Sequence, residues 1–208
     1  MIGINEIRNF LSSCNLPPIE IDQRKVNHIN TYLNLLQKWN KRLNLVSRRE
    51  IENLELHILD SFVIAPFLQC KNVTDLGSGG GLPAIPLAII FPEKQFTLVE
   101  ARSKKAAFLR IVTIELGLSH VKILNQRVEE LSGEEYKADC ITSRAFAPLN
   151  ELLDLSFPLL EKNGKIYTLA GGDIPLPGDE RFRIIETFFY NLPGKRKKRQ
   201  LLILEKNG

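Results

Sequence analysis

Residues 72–83 read NVTDLGSGGGLP, and the order of residue types within them decides the fold. An apolar-tending strand carrying Val73, Asp75 and Leu76 runs into Gly77, Gly79, Gly80 and Gly81, and an apolar stretch with helical potential begins at Leu82. Strand, glycine turn and helix in that order make a loop whose backbone visits φ > 0 and approaches a ligand with no Cβ in the way. A tight turn without a ligand is the alternative that this stretch alone leaves open.

The dinucleotide fingerprint G-x-G-x-x-G would need a glycine where Leu82 stands, and the third glycine sits one place early, at Gly81. The pattern is instead D-x-G-x-G-x-G over residues 75–81, with Asp75 two places before Gly77. It resembles motif I of the class I S-adenosylmethionine-dependent methyltransferases, in which the loop holds the amino-acid end of a cofactor that has no phosphate. An acid sits well beside a cationic sulfonium and would repel a pyrophosphate.

Downstream, strands and helices alternate. A short helix over 85–90, opened by Pro83 and Pro86, is followed by a strand over 95–99 that ends on Glu100. An acid about twenty residues past a glycine loop, at a strand's carboxyl end, is placed to bind a ribose diol. A helix follows over 103–116, capped by Ser103 with Ala107, Leu109 (or Phe108), Ile111 and Val112 inward and stopped by Gly117. Strands over 121–124, 138–142 and 165–169 and a helix over 148–160 continue the series. Such alternation predicts an α/β fold with a doubly wound, mostly parallel sheet and ligands at the strands' carboxyl ends. Gly77, Glu100, Glu129 and Arg144 all fall there. Residues 182–190 and 200–205 read as a C-terminal antiparallel hairpin joined by a basic loop.

Upstream the chain is helical. Ile4, Ile7, Phe10 and Leu11 recur at helical spacing, Pro17 and Pro18 end that helix, and Asp22 caps a longer one over 23–46. That helix carries an apolar stripe of Val26, Ile29, Leu33, Leu36, Trp39 and Leu43 and a basic opposite face. A third helix over 52–67 places His57, Asp60 and Ser61 within about one turn. A catalytic triad is disfavoured because no nucleophile elbow accompanies them. The expectation is that they fasten this helix to the glycine loop. A boundary near residues 69–72 divides a helical N-terminal arm (1–70) from the sheet domain (71–208).

With 44% hydrophobic and 25% charged residues in 208, the chain has material for a packed core, and no run of about eighteen apolar residues spans a membrane. No signal peptide is evident, which predicts a cytoplasmic protein. Cys14, Cys70 and Cys140 lie far apart and read as free thiols, and with His28, His57 and His120 equally scattered no metal centre is suggested. The net charge of +4 is unevenly distributed. From Arg24 to Arg49 there are seven bases and no acid, and Lys195 to Arg199 are five consecutive bases, so the remainder is net acidic. Lys38, Lys41, Arg42, Arg48 and Arg49 with Lys195, Arg196, Lys197, Lys198 and Arg199 are therefore candidate phosphate contacts for a polyanion.

Several motifs in the same order point further. KWNKRLNLVS (38–47), HILDS (57–61), DLGSGGGLPAIPLAI (75–89), RVEEL (127–131) and SRAFAPL (143–149) together resemble the bacterial guanine-N7 methyltransferases of 16S ribosomal RNA, RsmG, formerly glucose-inhibited division protein B. The resemblance covers nearly the whole chain. It implies S-adenosylmethionine as cofactor, held by Asp75, Gly77, Gly79, Gly81, Leu82, Glu100, Val128, Glu129 and Arg144, with Glu100 on the ribose and Arg144 also orienting the reaction. It implies 16S ribosomal RNA or the small ribosomal subunit as partner and a monomeric enzyme. Where family members usually carry a lysine before the glycine after the fifth strand, this chain has Ala170-Gly171, so that lysine's role does not transfer. The rival readings are an NAD-dependent oxidoreductase, disfavoured by the misplaced glycine, and a non-catalytic RNA-binding or ribosome-assembly module that retains cofactor affinity.

Overall fold

The computed structural model describes residues 1–47, 51–172 and 178–208. Its centre is a seven-stranded sheet in the order β3-β2-β1-β4-β5-β7-β6. The strands are β1 (Asn72–Leu76), β2 (Gln95–Val99), β3 (Val121–Leu124), β4 (Ala138–Arg144), β5 (Leu160–Gly171), β6 (Phe182–Asn191) and β7 (Lys198–Lys206). The first five run parallel, and β7 inserts antiparallel between β5 and its hairpin partner β6. The hairpin expected at the C-terminus is present with longer strands, so Lys198 and Arg199 lie in β7 and not in the loop.

Successive strand side chains point to opposite faces, which divides the interior in two. Cys140, Tyr167, Leu169, Leu201 and Ile203 face one core, and Ile141, Ile166, Leu202 and Leu204 face the other. The central strands β1 and β4 and the inserted β7 are buried on both faces, whereas β6 at the sheet's edge is largely exposed. The first core takes α1 (Ile4–Ser13), α2 (Gln23–Leu43), α3 (Leu54–Phe62), α4 (Ala84–Ile90) and α5 (Ser103–Glu115), while α6 (Leu149–Ser156) covers the second. The first three helices share their buried residues with the sheet in one apolar cluster.

Several helix ends differ from the expected ones for local reasons. Asp22 caps α2 as expected, accepting from the Lys25 amide at 2.8 Å, but α2 stops at Leu43 because Asn44 turns left-handed at φ 47°. Helix α1 ends ahead of the prolines, with Asn15 at φ 55°. Ser103 is the first residue of α5 and not its cap, and the buried face is Ala106, Phe108, Leu109 and Val112, with Ala107 outside.

The cysteines also need correction. Val73 of β1 pairs in register with Cys140 of β4, which brings Cys70 alongside, and the two are joined as a disulfide with Cα atoms 6.2 Å apart. Parallel pairing across 70 residues produces this proximity, and spacing in the sequence does not reveal it. Cys14 is free.

Candidate functional site

At the carboxyl ends of β1, β2 and β3 lies a cavity of about 370 Å³. Gly77 and Gly79 form one wall, Glu100, Ala101 and Arg102 another, and Gln126 to Glu129 a third, with Phe146 and Glu151 closing the side. Ligands of open α/β sheets gather at this end, beyond the strands' carboxyl termini.

The glycine loop is built by its φ angles. Gly77, Gly79 and Gly81 stand at +67°, +56° and +96°, a region that side chains disfavour. Their surroundings differ. A Cβ on Gly77 would overlap the Phe146 ring, and one on Gly81 would lie 2.6 Å from Ile85. A Cβ on Gly79 would meet nothing closer than 3.7 Å and would project toward Lys105 Nζ, 4.0 Å away. Gly79 is thus the position whose missing side chain leaves room, whereas Gly81 is a packing requirement.

Glu100 organises the loop from the side. Its Oε2 accepts from the Gly79 amide and its Oε1 from the Arg102 amide, each at 2.8 Å, and it is largely buried. Tyr32 of α2 fastens the loop from behind, donating from its buried hydroxyl to the Gly80 carbonyl at 2.7 Å. The signal for Tyr32 was available: it sits on the apolar stripe between Ile29 and Leu33, and a buried tyrosine hydroxyl needs a partner.

Of the residues singled out from sequence, Gly77, Gly79, Glu100, Val128 and Glu129 line the cavity. Asp75, Gly81, Leu82 and Arg144 do not line it. Asp75 is buried beneath the loop, its Oδ1 accepting from Thr142 Oγ1 at 2.7 Å while Oδ2 has no hydrogen-bond partner. Burial pushes its carboxyl up to about 7, against the pull of Thr142 and the Arg144 charge.

Arg144 ends β4 and turns toward α3. Its Nη1 lies 2.7 Å from His57 Nδ1 and 3.9 Å from Asp60 Oδ2. A guanidinium only donates, so Nδ1 is the accepting nitrogen and carries no proton. The next residue, Ala145, has φ 52°, and this left-handed step lets Phe146 turn back over Gly77. Asp60 is fully buried and accepts from Arg199 Nε and Nη2 at 2.6 Å and from Tyr190 Oη at 2.5 Å. His57 and Asp60 therefore anchor α3 to the end of β4 and to the C-terminal hairpin, where the glycine loop had been expected. Ser61 donates to the His57 carbonyl within its own helix.

A family model described as rRNA small subunit methyltransferase G matches residues 25–174. The chain belongs to that family. It is 40% identical over 192 residues to a ribosomal RNA small subunit methyltransferase G of Shewanella amazonensis, covering 90% of this chain and 93% of that one. The relative of the same name from Escherichia fergusonii is 36% identical over 211 residues, covering 98% of this chain and 99% of its own. Among solved structures, a SAM-dependent O-methyltransferase from Thermotoga maritima superposes with TM-score 0.53 at 18% identity, over 76% of this chain and 70% of that one, a likeness of fold.

The basic candidates fall into three groups. Lys38, Lys41 and Arg42 are exposed on α2, and Lys195 to Lys198 are exposed on the hairpin. Arg199 is turned inward onto Asp60. Arg48 and Arg49 lie outside the described residues. Lys105, Arg102, Arg127 and Phe146, which line the cavity, were not singled out from sequence. Among the described residues no cluster of three metal-ligating side chains occurs, and no helix is long and apolar enough to cross a membrane.

Proposed function

We propose that this chain transfers a methyl group from S-adenosylmethionine to N7 of a guanine in 16S ribosomal RNA, acting in the cytoplasm as a monomer. Family membership together with the cavity at the β1 and β2 carboxyl ends carries this reading. The cofactor fits the residues present: Gly79 leaves its Cβ space open, and the Glu100 carboxylate stands at the cavity wall with lone pairs beyond those given to Gly79 and Arg102. When bound, the cofactor supplies an electrophilic methyl group on a cationic sulfonium.

The residues then divide the work. Glu100 accepts from the ribose diol, Val128 and Glu129 border the adenine, and Gly77 and Gly79 let the amino-acid portion lie against the backbone. Lys105, the ammonium nearest Gly79, suits a carboxylate. Asp75, Gly81 and Leu82 shape the loop from behind. Guanine N7 already carries a lone pair, so no residue has to remove a proton before attack. The protein contributes orientation, which supplies on the order of 7 to 11 kcal/mol in the best cases. Arg144, held by His57 and Asp60, borders the place where the acceptor base enters.

The N-terminal arm of residues 1–70 supplies a basic face and the buttress that Tyr32 gives the loop, and residues 71–208 supply the cofactor site. The test is incorporation of labelled methyl from S-adenosylmethionine into 16S RNA, naked and in small subunits, with cleavage at N7-methylguanine to map the position. Cofactor and RNA binding without methyl transfer would instead identify a non-catalytic assembly module.

A further inference from the structure

We propose that a second cavity, between α3 and the β6–β7 hairpin loop, is a subsite for one nucleotide of the RNA strand, with its base on an apolar floor and its phosphate on Lys197 and Lys195. The proposal rests on the RNA-methyltransferase reading above. This cavity measures about 210 Å³ and is lined by Leu56 and His57 of α3, Gly171 at the end of β5, and Leu192, Lys195 and Lys197 of the hairpin loop. It is smaller than the roughly 300–1,000 Å³ of pockets that enclose drug-sized ligands, and suits a single planar base.

Its position follows from the sheet. Arg144 of β4 pairs with Leu169 of β5, and Gly171, two residues on, pairs with Arg199 of β7. The cavity therefore opens on the same carboxyl edge as the cofactor cavity, one strand spacing or roughly 5 Å beyond Arg144. His57 belongs to both neighbourhoods, because its Nδ1 accepts from Arg144 while its side chain lines the second cavity.

The charge balance selects the occupant. Among the described residues, no acidic side chain lines this cavity. Arg199 contributes to the wall, but its guanidinium is committed to Asp60, so it presents a flat face and little free charge. Lys195 is steadied by Asn53 Oδ1 at 2.8 Å. The exposed Lys197 extends over the glycines at the end of β5, its Nζ 3.8 Å from where a Cβ on Gly171 would sit. Glycine there keeps the cavity floor open to a ring. Apolar walls under a pair of ammonium groups match a nucleotide, whereas a bare phosphate would leave Leu56 and Leu192 unused.

The experiment titrates the full-length, cofactor-saturated protein with guanosine 5′-monophosphate, guanosine and inorganic phosphate, and repeats each titration with Lys197→Ala and Leu56→Ala. Guanosine monophosphate should bind more tightly than either fragment and should inhibit methylation competitively with RNA. Lys197→Ala should weaken the nucleotide roughly tenfold, toward guanosine, with cofactor affinity unchanged. Leu56→Ala should weaken nucleotide and nucleoside but not phosphate. The subsite is refuted if the monophosphate binds no better than phosphate, or if neither variant alters its affinity. Either result leaves wild-type methyl transfer intact, whereas loss of the underlying reading appears as wild-type protein that never methylates RNA.

Discussion

Arg199, the second residue of β7, reaches the buried carboxylate of Asp60 in α3, 139 residues away, with two hydrogen bonds of 2.6 Å. The Asp60 charge holds the guanidinium firmly protonated despite the cost of its burial. Asp60 also accepts from Tyr190, so one carboxylate joins the hairpin's two strands to the helix beside Arg144.

Replacing one partner of this pair strands the other. Arg199→Ala should lower unfolding free energy by about 3 kcal/mol, because Asp60 would keep its charge in the interior with Tyr190 and a more distant Arg144 for company. Urea unfolding measures this. The salt dependence of RNA binding should keep its wild-type slope in the same variant, since Arg199 does not face solvent as a free cation.

Gly77, Gly79 and Gly81 should each resist substitution, for different reasons. Gly79→Val places a β-branched side chain at φ +56° and into open cavity space, so cofactor binding should disappear from a protein that still folds. Calorimetry with S-adenosylmethionine showing wild-type affinity in the folded variant would refute the placement.

Glu100→Gln keeps the shape of the side chain and removes its charge. Loss of charge-assisted hydrogen bonds to the ribose should cost about 1.5 to 3 kcal/mol of cofactor affinity. Because Gln offers one acceptor oxygen where Glu100 gives two, to the Gly79 and Arg102 amides, the loop should loosen as well, and calorimetry should show affinity for methionine alone falling alongside that for S-adenosylmethionine.

Asp75 makes stability depend on pH. Its folded carboxyl titrates at about 7, whereas an unfolded aspartate titrates near 3.9, so the folded state holds the extra proton between these values. The stabilising contribution is complete below about pH 4 and is lost as pH rises through 7. Asp75→Asn retains an acceptor for Thr142 and abolishes the titration. The stability difference between variant and wild type should therefore shift in the variant's favour from pH 5 to pH 8, and a constant difference would contradict the burial argument.

The basic face of α2 should behave as a phosphate contact. Charge reversal at Lys38, Lys41 and Arg42 should raise the Michaelis constant for RNA and leave cofactor affinity unchanged. The slope of log affinity against log salt should fall by roughly 0.7 to 0.9 for each contact removed. Equal slopes for wild type and variant would mark this face as merely solvated.

The parallel sheet, its C-terminal hairpin and the cavity edge were legible in the sequence because each is written locally. The glycine run fixes one turn, and Glu100 closes the next strand. Alternation of apolar segments implies crossovers that bring the strand ends together. Asp60 shows the limit. Its neighbours within α3 suggest attachment to the nearby loop, but its partners are Tyr190 and Arg199, which only the insertion of β7 between β5 and β6 brings within reach. The same holds for the Cys70–Cys140 pair and for Phe146 over Gly77. Arg102 and Lys105 escaped notice because their roles depend on the turn between β2 and α5, which brings the start of that helix against the glycine loop.

Ala145 carries a consequence for variation in this chain. A non-glycine residue held at φ 52° stores roughly 1–3 kcal/mol of strain, more than the roughly 0.5–1 kcal/mol of extra chain entropy that glycine would lose on folding. Ala145→Gly should on that account raise thermal stability. The same change frees the hinge between Arg144, facing α3, and Phe146, facing the glycine loop, so their relative aim would blur. Selection for heat resistance and selection for turnover would pull this one position toward different amino acids.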